Sequence, residues 1–478
     1  MLTLNDVLEA LTHQPANFSR MVIPEAAVDS RQIIPGAIFV ALPGERTDGH
    51  LFVADAFKKG ASLALVQQDM PAEFNVLDLS SGSLPQDQTL PSHLFSGRPF
   101  CLKVNNTTAA LQQIASFWRR KLNLRVIGVT GSVGKSTTKE LIFEVLSQRY
   151  RALKNPGNQN NEIGLPLSIL RLTEGHQCAV LEMGFYVPGE IAQLCEIALP
   201  QVGVITNVGT VHAERAGSQD AIARGKAELV QALPPSPQGT AILNYDDPLV
   251  RPMAALTSAR VFYYGLDRLA PLWADQVESS GLEGIEFHLH FRGEDLHMHV
   301  PLIGSHSVHT ALRAAAVGLT EGLTWPEIVH GMHTSQTQLR LVAVRSETGA
   351  LLIDDSYNAA PESTLAALNL LAEMSGRKIA VLGDMLELGQ YERVGHEMVG
   401  ARAAEVADYL LAVGDLSKIT QNAARKAGLP LAKTAWTADV LQAIEILKPL
   451  LKEGDVVLIK GSHGLRMDRI VSALEASE

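Results

Sequence analysis

The chain is poor in cysteine, has no long apolar run and carries no surplus of positive charge, and each shortage removes a class of function. Its three cysteines, Cys101, Cys178 and Cys195, lie far apart in 478 residues and make neither a CxxC pair nor a zinc-type cluster. A disulfide framework is therefore not expected, and three buried thiols are. No segment approaches the roughly 18 consecutive apolar residues of a spanning helix. The opening MLTLNDVLEALTHQP places Asp6 and Glu9 where a secretory leader has a basic stretch. No membrane insertion and a cytoplasmic location follow as expectations. With 40 Lys and Arg against 51 Asp and Glu the net charge is −11, which argues against nonspecific nucleic-acid binding but leaves room for a local basic pocket. There is also no repeat of fixed period, no heptad pattern and no low-complexity tract.

What is present is an ordinary globular composition, 46% hydrophobic and 19% charged with 38 glycines. The length exceeds what one core organises and predicts several domains. Residues 1–100 hold short apolar runs at 37–42 and 61–66 and end near the polar stretch starting at Ser80, which reads as a small α/β domain. Residues 101–322 read as a nucleotide-binding α/β domain. Buried strands are predicted at 125–129, 179–183 and 202–206, and Leu141, Ile142, Val145 and Leu146 share one face of a helix over 135–148. Residues 323–478 alternate strands at 350–354, 378–382, 409–413 and 455–459 with helical patterns, predicting a doubly wound, Rossmann-like sheet. The fold class is α/β throughout.

The chemistry concentrates at Thr130-Gly131-Ser132-Val133-Gly134-Lys135-Ser136, followed by Thr137. It is a variant of GxxxxGK[ST], because Val129 stands where the first glycine would be. Its physics is unchanged. Glycines let the backbone approach closely, consecutive N–H groups and a helix N-terminus favour anionic oxygens, and Lys135 adds a full charge. Ser136 offers a hydroxyl to Mg²⁺. Magnesium on a triphosphate needs further oxygen ligands, and Glu182 ends the next apolar strand, at the sheet edge where ligands gather. A capping glutamate would look the same. His212, after the strand at 202–206, is delivered to that same edge, where a structural histidine is the alternative reading.

These residues lie in motifs that resemble the Mur ligases: TGSVGKSTTKE, NPGNQNNEIGLPLSIL, LEMG, TNVGTVHAERAGS, GKAEL, DDSYNAAPES, VLGDMLELG and KGSHGLRMDRIV, in family order across essentially the whole chain. The DDSYNA, GDMLELG and GNxNNEIG forms resemble the member that adds a dipeptide. The resemblance implies three domains: one for the UDP end of the substrate, a central ATPase, and a C-terminal domain that closes over ATP. It implies ATP and Mg²⁺ as cofactors, UDP-N-acetylmuramoyl-tripeptide and D-alanyl-D-alanine as substrates, an acyl phosphate intermediate, and a monomer.

Residue by residue, the resemblance assigns Lys135, Ser136, Glu182 and His212 to phosphate and metal. Lys226 matches a lysine that is carbamylated in related ligases, where the carbamate helps bind a second magnesium. Ser30, Arg31, Asp48 and His50 match the stretch that contacts the uridine nucleotide. Asn158, Asn160, Asn161 and Glu162 match the loop near the muramoyl-peptide. Arg340 matches an arginine reaching the ATP phosphates. Tyr357 and Asn358 fall in a motif against nucleotide and dipeptide, with Asp354 and Asp355 beside them, and Lys460 in the Lys-Gly-Ser motif is a further candidate.

Two positions depart from the family pattern. The helix against adenine commonly reads GxHNxxNAxAA, but Ser307 and Thr310 stand here in place of both asparagines. A hydroxyl lacks the paired donor and acceptor of an amide, so weaker base discrimination is expected. Val133 replaces a frequently polar loop residue and should matter little, because backbone amides bind the phosphates. Three other identities follow the same motifs less well. A sister ligase adding a single amino acid would be suggested by a DNPR sequence, which is absent. Folylpolyglutamate synthase would lack the first domain, and a nucleotide-binding switch would lack ligase chemistry. The tripeptide's third residue, lysine or diaminopimelate, stays open.

Overall fold

Parallel-rich sheets organise the chain where the apolar runs predict them. The computed structural model describes residues 1–19, 21–44, 47–84, 98–334 and 342–476. Packing divides the chain into two units. The first comprises Met1–Gly128, Tyr150–Gly184 and Gly189–Val202, and the second Val129–Arg149, Phe185–Pro188 and Gly203–Glu478. The division falls inside strand Arg125–Thr130.

In the first unit a parallel sheet runs, in spatial order, Ala26–Ala27, Ile38–Val40, Leu63–Val66, Phe100–Lys103 and Val76–Asp78. Its central strands are buried at every residue, which is why they read as unbroken apolar runs rather than alternating ones. Helix Thr107–Lys121 follows, its first turn capped by the Asn106 side chain accepting from the Ala109 N–H. It buries Ala110, Leu111, Ile114, Ala115 and Trp118 on one face. Fully burying one such leucine or isoleucine side chain stabilises by about 1.5–3 kcal/mol. Arg119 is buried from the same helix and donates to the carbonyls of Ala198, Leu122 and Leu124, so its charge is solvated by backbone dipoles. Strand Cys178–Glu182 pairs in parallel with Ala152–Lys154. Cys101, Cys178 and Cys195 are buried free thiols, as expected.

In the second unit, strands Thr240–Asn244, Arg260–Gly265 and Leu272–Ser279 pair in parallel, and Ile285–Phe291 and Glu294–Val300 extend the sheet antiparallel. Helix Lys135–Ser147 packs against Val308–Thr320 and Trp325–Thr334. A six-stranded sheet follows in the order Val342–Arg345, Leu351–Asp355, Asp455–Lys460, Arg377–Gly383, Tyr409–Val413 and Thr434–Thr437, parallel except at its first pair. Alternate residues serve opposite faces. Ile353, Ala380, Leu410 and Leu458 enter one core, and Leu352, Ile379, Leu411 and Val457 the other. Helices therefore cover both sides, the doubly wound arrangement expected from the sequence.

Candidate active site

Strand Arg125–Thr130 hands the chain to a tight turn, and helix Lys135–Ser147 begins at once with Gly134 as its N-cap at φ +79°. The turn demands Gly131. Its φ is +146°, and a Cβ there would lie 1.7 Å from Thr206 Oγ1. The loop is braced from the neighbouring segment: the Ser132 N–H donates to Asn207 O, the Val133 N–H to Asn207 Oδ1, Thr206 Oγ1 to Val133 O, and the Gly209 N–H to Ser132 Oγ. Lys135 Nζ donates back to Gly131 O at 2.9 Å and Ser132 O at 3.3 Å, which holds the ammonium over the turn that its helix N-terminus makes attractive to anions.

A cleft joins this loop to the C-terminal sheet. Ser132, Gly134, Lys135 and Thr137 line it from one side, and Asp355, Tyr357, Asn358 and Lys460 from the other. Lys460 is buried, and its Nζ donates to Asp355 Oδ2 at 2.7 Å and to Asn358 O at 2.8 Å. Lys460 thus fixes the turn that presents Tyr357. Ser307 and Thr310 line the same cleft beside His306. The Ser307 hydroxyl donates to Ile303 O, and Thr310 Oγ1 accepts from Arg313 Nη2.

His212 and Lys226 form the electrostatic centre. His212 Nδ1 is 2.6 Å from Glu387 Oε2, and Tyr186 packs edge-on against the ring at 4.7 Å. Burial lowers the His212 pKa, opposed by Glu387 and assisted by the charges of Lys135 and Lys226. Lys226 is 2% exposed on helix Gln219–Gln231, with its Nζ 4.9 Å over the Phe185 ring. Burial, then the charge of Lys135, drives its amine well below the usual lysine range. This buried amine gives up its proton more readily than an exposed lysine does.

Glu182 and the asparagine loop belong to the first unit. Glu182 is 1% exposed. Asn160 Nδ2 donates to its carboxylate at 2.7 Å, and Asn155 brackets its backbone by accepting from the N–H and donating to the C=O. Asn161 Oδ1 accepts from the N–H groups of Ile163 and Gly164 and so starts helix Gly164–Leu170. Asn158 and Glu162 are exposed. In the N-terminal sheet, His50 takes its Asp48 partner at Nδ1 and accepts from the Gln67 N–H at Nε2, so both ring nitrogens serve the fold. Ser30 donates to Asp55, while Arg31 is exposed and pairs with Asp29. Arg340 lies outside the described residues.

Among the described residues no three His, Cys, Asp or Glu side chains converge as a metal site. Magnesium fits such a place only as it fits other triphosphate sites, on one or two protein oxygens plus phosphate oxygens. The Ser136 hydroxyl is of that type. Sequence reading gave no role to Glu387, Tyr186, Asn155 or Arg313. Glu387 lay inside a quoted motif, but its partner is 175 positions away.

Comparison with known proteins bears on the whole chain. Residues 25–119 match the Mur ligase family catalytic domain, 129–318 the Mur ligase middle domain, and 339–463 the Mur ligase glutamate ligase domain. A UDP-N-acetylmuramoyl-tripeptide–D-alanyl-D-alanine ligase of Bacillus subtilis is 34% identical, covering 99% of this chain and 98% of its own. That of Escherichia coli is 33% identical, covering 95% and 94%. The MurF crystal structure from Acinetobacter baumannii superposes with a TM-score of 0.83 at 29% identity, covering 98% of both chains. MurF from Thermotoga maritima in complex with ADP gives 0.76 at 26% identity, covering 95% of this chain and 98% of that one.

Proposed function

The chain belongs to the Mur ligase family, and on that premise we infer that it joins D-alanyl-D-alanine to UDP-N-acetylmuramoyl-tripeptide at the expense of ATP, in the synthesis of peptidoglycan precursors. Full-length identity to ligases of that name supports the substrates. The observation that carries the chemistry is the cleft in which the Lys135 loop faces Tyr357, Asn358 and Lys460. It offers a phosphate cradle on one wall and polar groups for nucleotide and amine on the other.

On this reading the tripeptide's terminal carboxylate attacks the γ-phosphorus of ATP, ADP leaves, and the amine of D-alanyl-D-alanine displaces phosphate from the acyl phosphate to form the amide. Little covalent work falls to the protein. Its task is to hold anionic groups together and stabilise charge as it develops. The loop N–H groups and Lys135 bind phosphate oxygens, with Gly131, Ser132, Gly134 and Thr137 shaping the cradle. Ser136, Glu182, His212 and a carbamylated Lys226 would hold magnesium, which when bound neutralises phosphate charge. Residues 1–100 take the UDP end through Ser30 and Arg31, 101–322 bind ATP, and 323–478 close over it, with Arg340 reaching the phosphates.

A monomer acting in the cytoplasm is part of the same proposal. No helix among the described residues is long and apolar enough to cross a membrane. The decisive experiment measures phosphate release from ATP with each substrate alone and with both. Release that requires both supports the assignment, and release that is independent of either overturns it.

A further inference from the structure

Two carboxylates, Glu362 in the first turn of helix Pro361–Glu373 and Glu387 after strand Arg377–Gly383, grip the segment that carries His212. Glu362 Oε1 accepts from the Thr210 N–H at 2.9 Å and from Thr210 Oγ1 at 3.2 Å. Glu387 does more. Its Oε2 meets His212 Nδ1 at 2.6 Å, its Oε1 meets Arg215 Nη2 at 3.4 Å, and its backbone O accepts from the Glu214 N–H at 3.1 Å. Beside it, a Cβ on Gly389 would come within 2.9 Å of Glu214 Cα.

Both members of the central pair are held in a conformation that L residues seldom adopt: φ is +65° at His212 and +63° at Glu387. Such backbone is strained and persists only where surrounding contacts determine it. His212 is the left-handed N-cap of the short helix Ala213–Ala216, a position that glycine fills at other helix starts in this chain. What the two conformations achieve together is the short contact between the side chains.

We propose that Glu387 is a positioning residue for His212. An ionised carboxylate can only accept, so the proton of the pair sits on Nδ1 and the ring turns its Nε2 lone pair away from Glu387. Histidines that serve metal centres are commonly oriented by a carboxylate on the other ring nitrogen, and losing that partner typically costs 10–100-fold in metal affinity or activity. Here Tyr186 closes one side of the ring. Nε2 would then be the nitrogen available to a metal or to its bound water. Glu387 belongs to the C-terminal segment and His212 to the nucleotide-binding one, so the ring is correctly set only when these segments are docked. This inference rests on the ligase reading above.

Three variants of the full chain test it: Glu387→Ala, Glu387→Gln and His212→Ala. The first readout is independent of turnover, namely the imidazole ¹⁵N shifts of His212 without nucleotide. Wild type and Glu387→Gln, whose amide oxygen still accepts, should show the Nδ1-protonated tautomer, and Glu387→Ala a mixture. The second is Mn²⁺ affinity in the presence of a non-hydrolysable ATP analogue, expected to fall about 10–100-fold in Glu387→Ala and to be largely kept in Glu387→Gln. The third is kinetic. Glu387→Ala should lose kcat with KM for the UDP substrate unchanged, and adding it to His212→Ala should cost little more. An unchanged tautomer in Glu387→Ala, or fully additive losses in the double variant, overturns the proposal. If Glu387→Ala does not fold, the tautomer and Mn²⁺ affinity of Glu387→Gln decide in its place, and a tautomer mixture there counts against the proposal. Failure of the ligase reading shows separately, in wild-type phosphate release that ignores the two substrates.

Discussion

Arg313 Nη1 donates to Thr138 Oγ1 at 2.8 Å from beneath the phosphate loop. The guanidinium is buried, donates also to His309 O and Thr310 Oγ1, and stands 3.5 Å from where a Cβ on Gly134 would lie. It therefore ties the helix that begins at Lys135 to the helix that carries Ser307 and Thr310. Replacing it with alanine opens a cavity and strands two hydroxyls. Arg313→Ala should destabilise the chain by about 2–4 kcal/mol and raise KM for ATP. Arg313→Lys cannot reproduce the forked donation and should recover only part of either loss. Urea unfolding alongside initial-rate kinetics checks both. Wild-type stability in Arg313→Ala would show that the tie carries no weight.

Base selectivity follows from the same helix. The hydrogen of the Ser307 hydroxyl is committed to Ile303 O, and Thr310 Oγ1 already accepts from Arg313. Ser307 can thus only accept from the base, and Thr310 must donate or accept through a single oxygen, where an asparagine amide offers a fixed donor and acceptor pair. GTP should support turnover with a KM within about tenfold of that for ATP, since a lost neutral hydrogen bond is worth ~1 kcal/mol and a factor of ten is ~1.4 kcal/mol. A side-by-side comparison in which ATP is preferred by several hundredfold would contradict this.

How far the site was legible depended on sequence distance. Gly131 to Thr137 could be read because strand, turn, lysine and helix are consecutive and each leaves a local signal. Lys460 looked marginal because its partner Asp355 is 105 positions away. Glu387 had no visible role for the same reason. The antiparallel strands Ile285–Phe291 and Glu294–Val300 went unpredicted although their signal is local. Ile285, Phe287 and Leu289 alternate inward, and Arg292 and Gly293 supply the two positive-φ residues of a tight hairpin. Their outer face is rich in histidine rather than in the β-branched residues that usually mark a strand. His50 was matched to the uridine stretch by its motif, yet its two ring nitrogens are occupied by Asp48 and the Gln67 N–H, which only coordinates reveal.

Acid stability should be set in part by three carboxylates. Asp29 is held to about 2 by Arg31, Asp48 to about 2 by the His50 N–H and ring, and Glu327 to about 2 by Arg149 and Thr324. These folded values lie below the roughly 4 of an unfolded carboxylate. Their contribution is therefore fully present above about pH 5 and is lost as pH falls towards about 2. All three are partly open to solvent, so screening keeps each contribution small. Thermal unfolding followed from neutral to acid pH should show Tm level, then falling below about pH 4, and Asp48→Asn should flatten that fall. An identical acid slope in the variant would assign the loss to other groups.

Lys226 gives the sharpest chemical prediction. A buried ammonium that packs over an aromatic ring and is repelled by the charge of Lys135 is costly to keep, and its amine is accordingly driven well below the usual lysine range. The neutral amine is the form that attacks carbon dioxide. The product is a carbamate, formed with release of a proton, which replaces a repelled cation by an anion beside Lys135. The sign of the pH dependence follows. Acid protonates the nitrogen and discharges the carbamate, so activity should fall on the acid side and bicarbonate should offset the fall. Native mass spectrometry near neutral pH should find one added carbon dioxide at Lys226, and Lys226→Ala should lose most of kcat and regain part of it with added short-chain carboxylates. An unmodified Lys226 in fully active enzyme, together with an active Lys226→Ala, would show instead that the buried amine serves the fold alone.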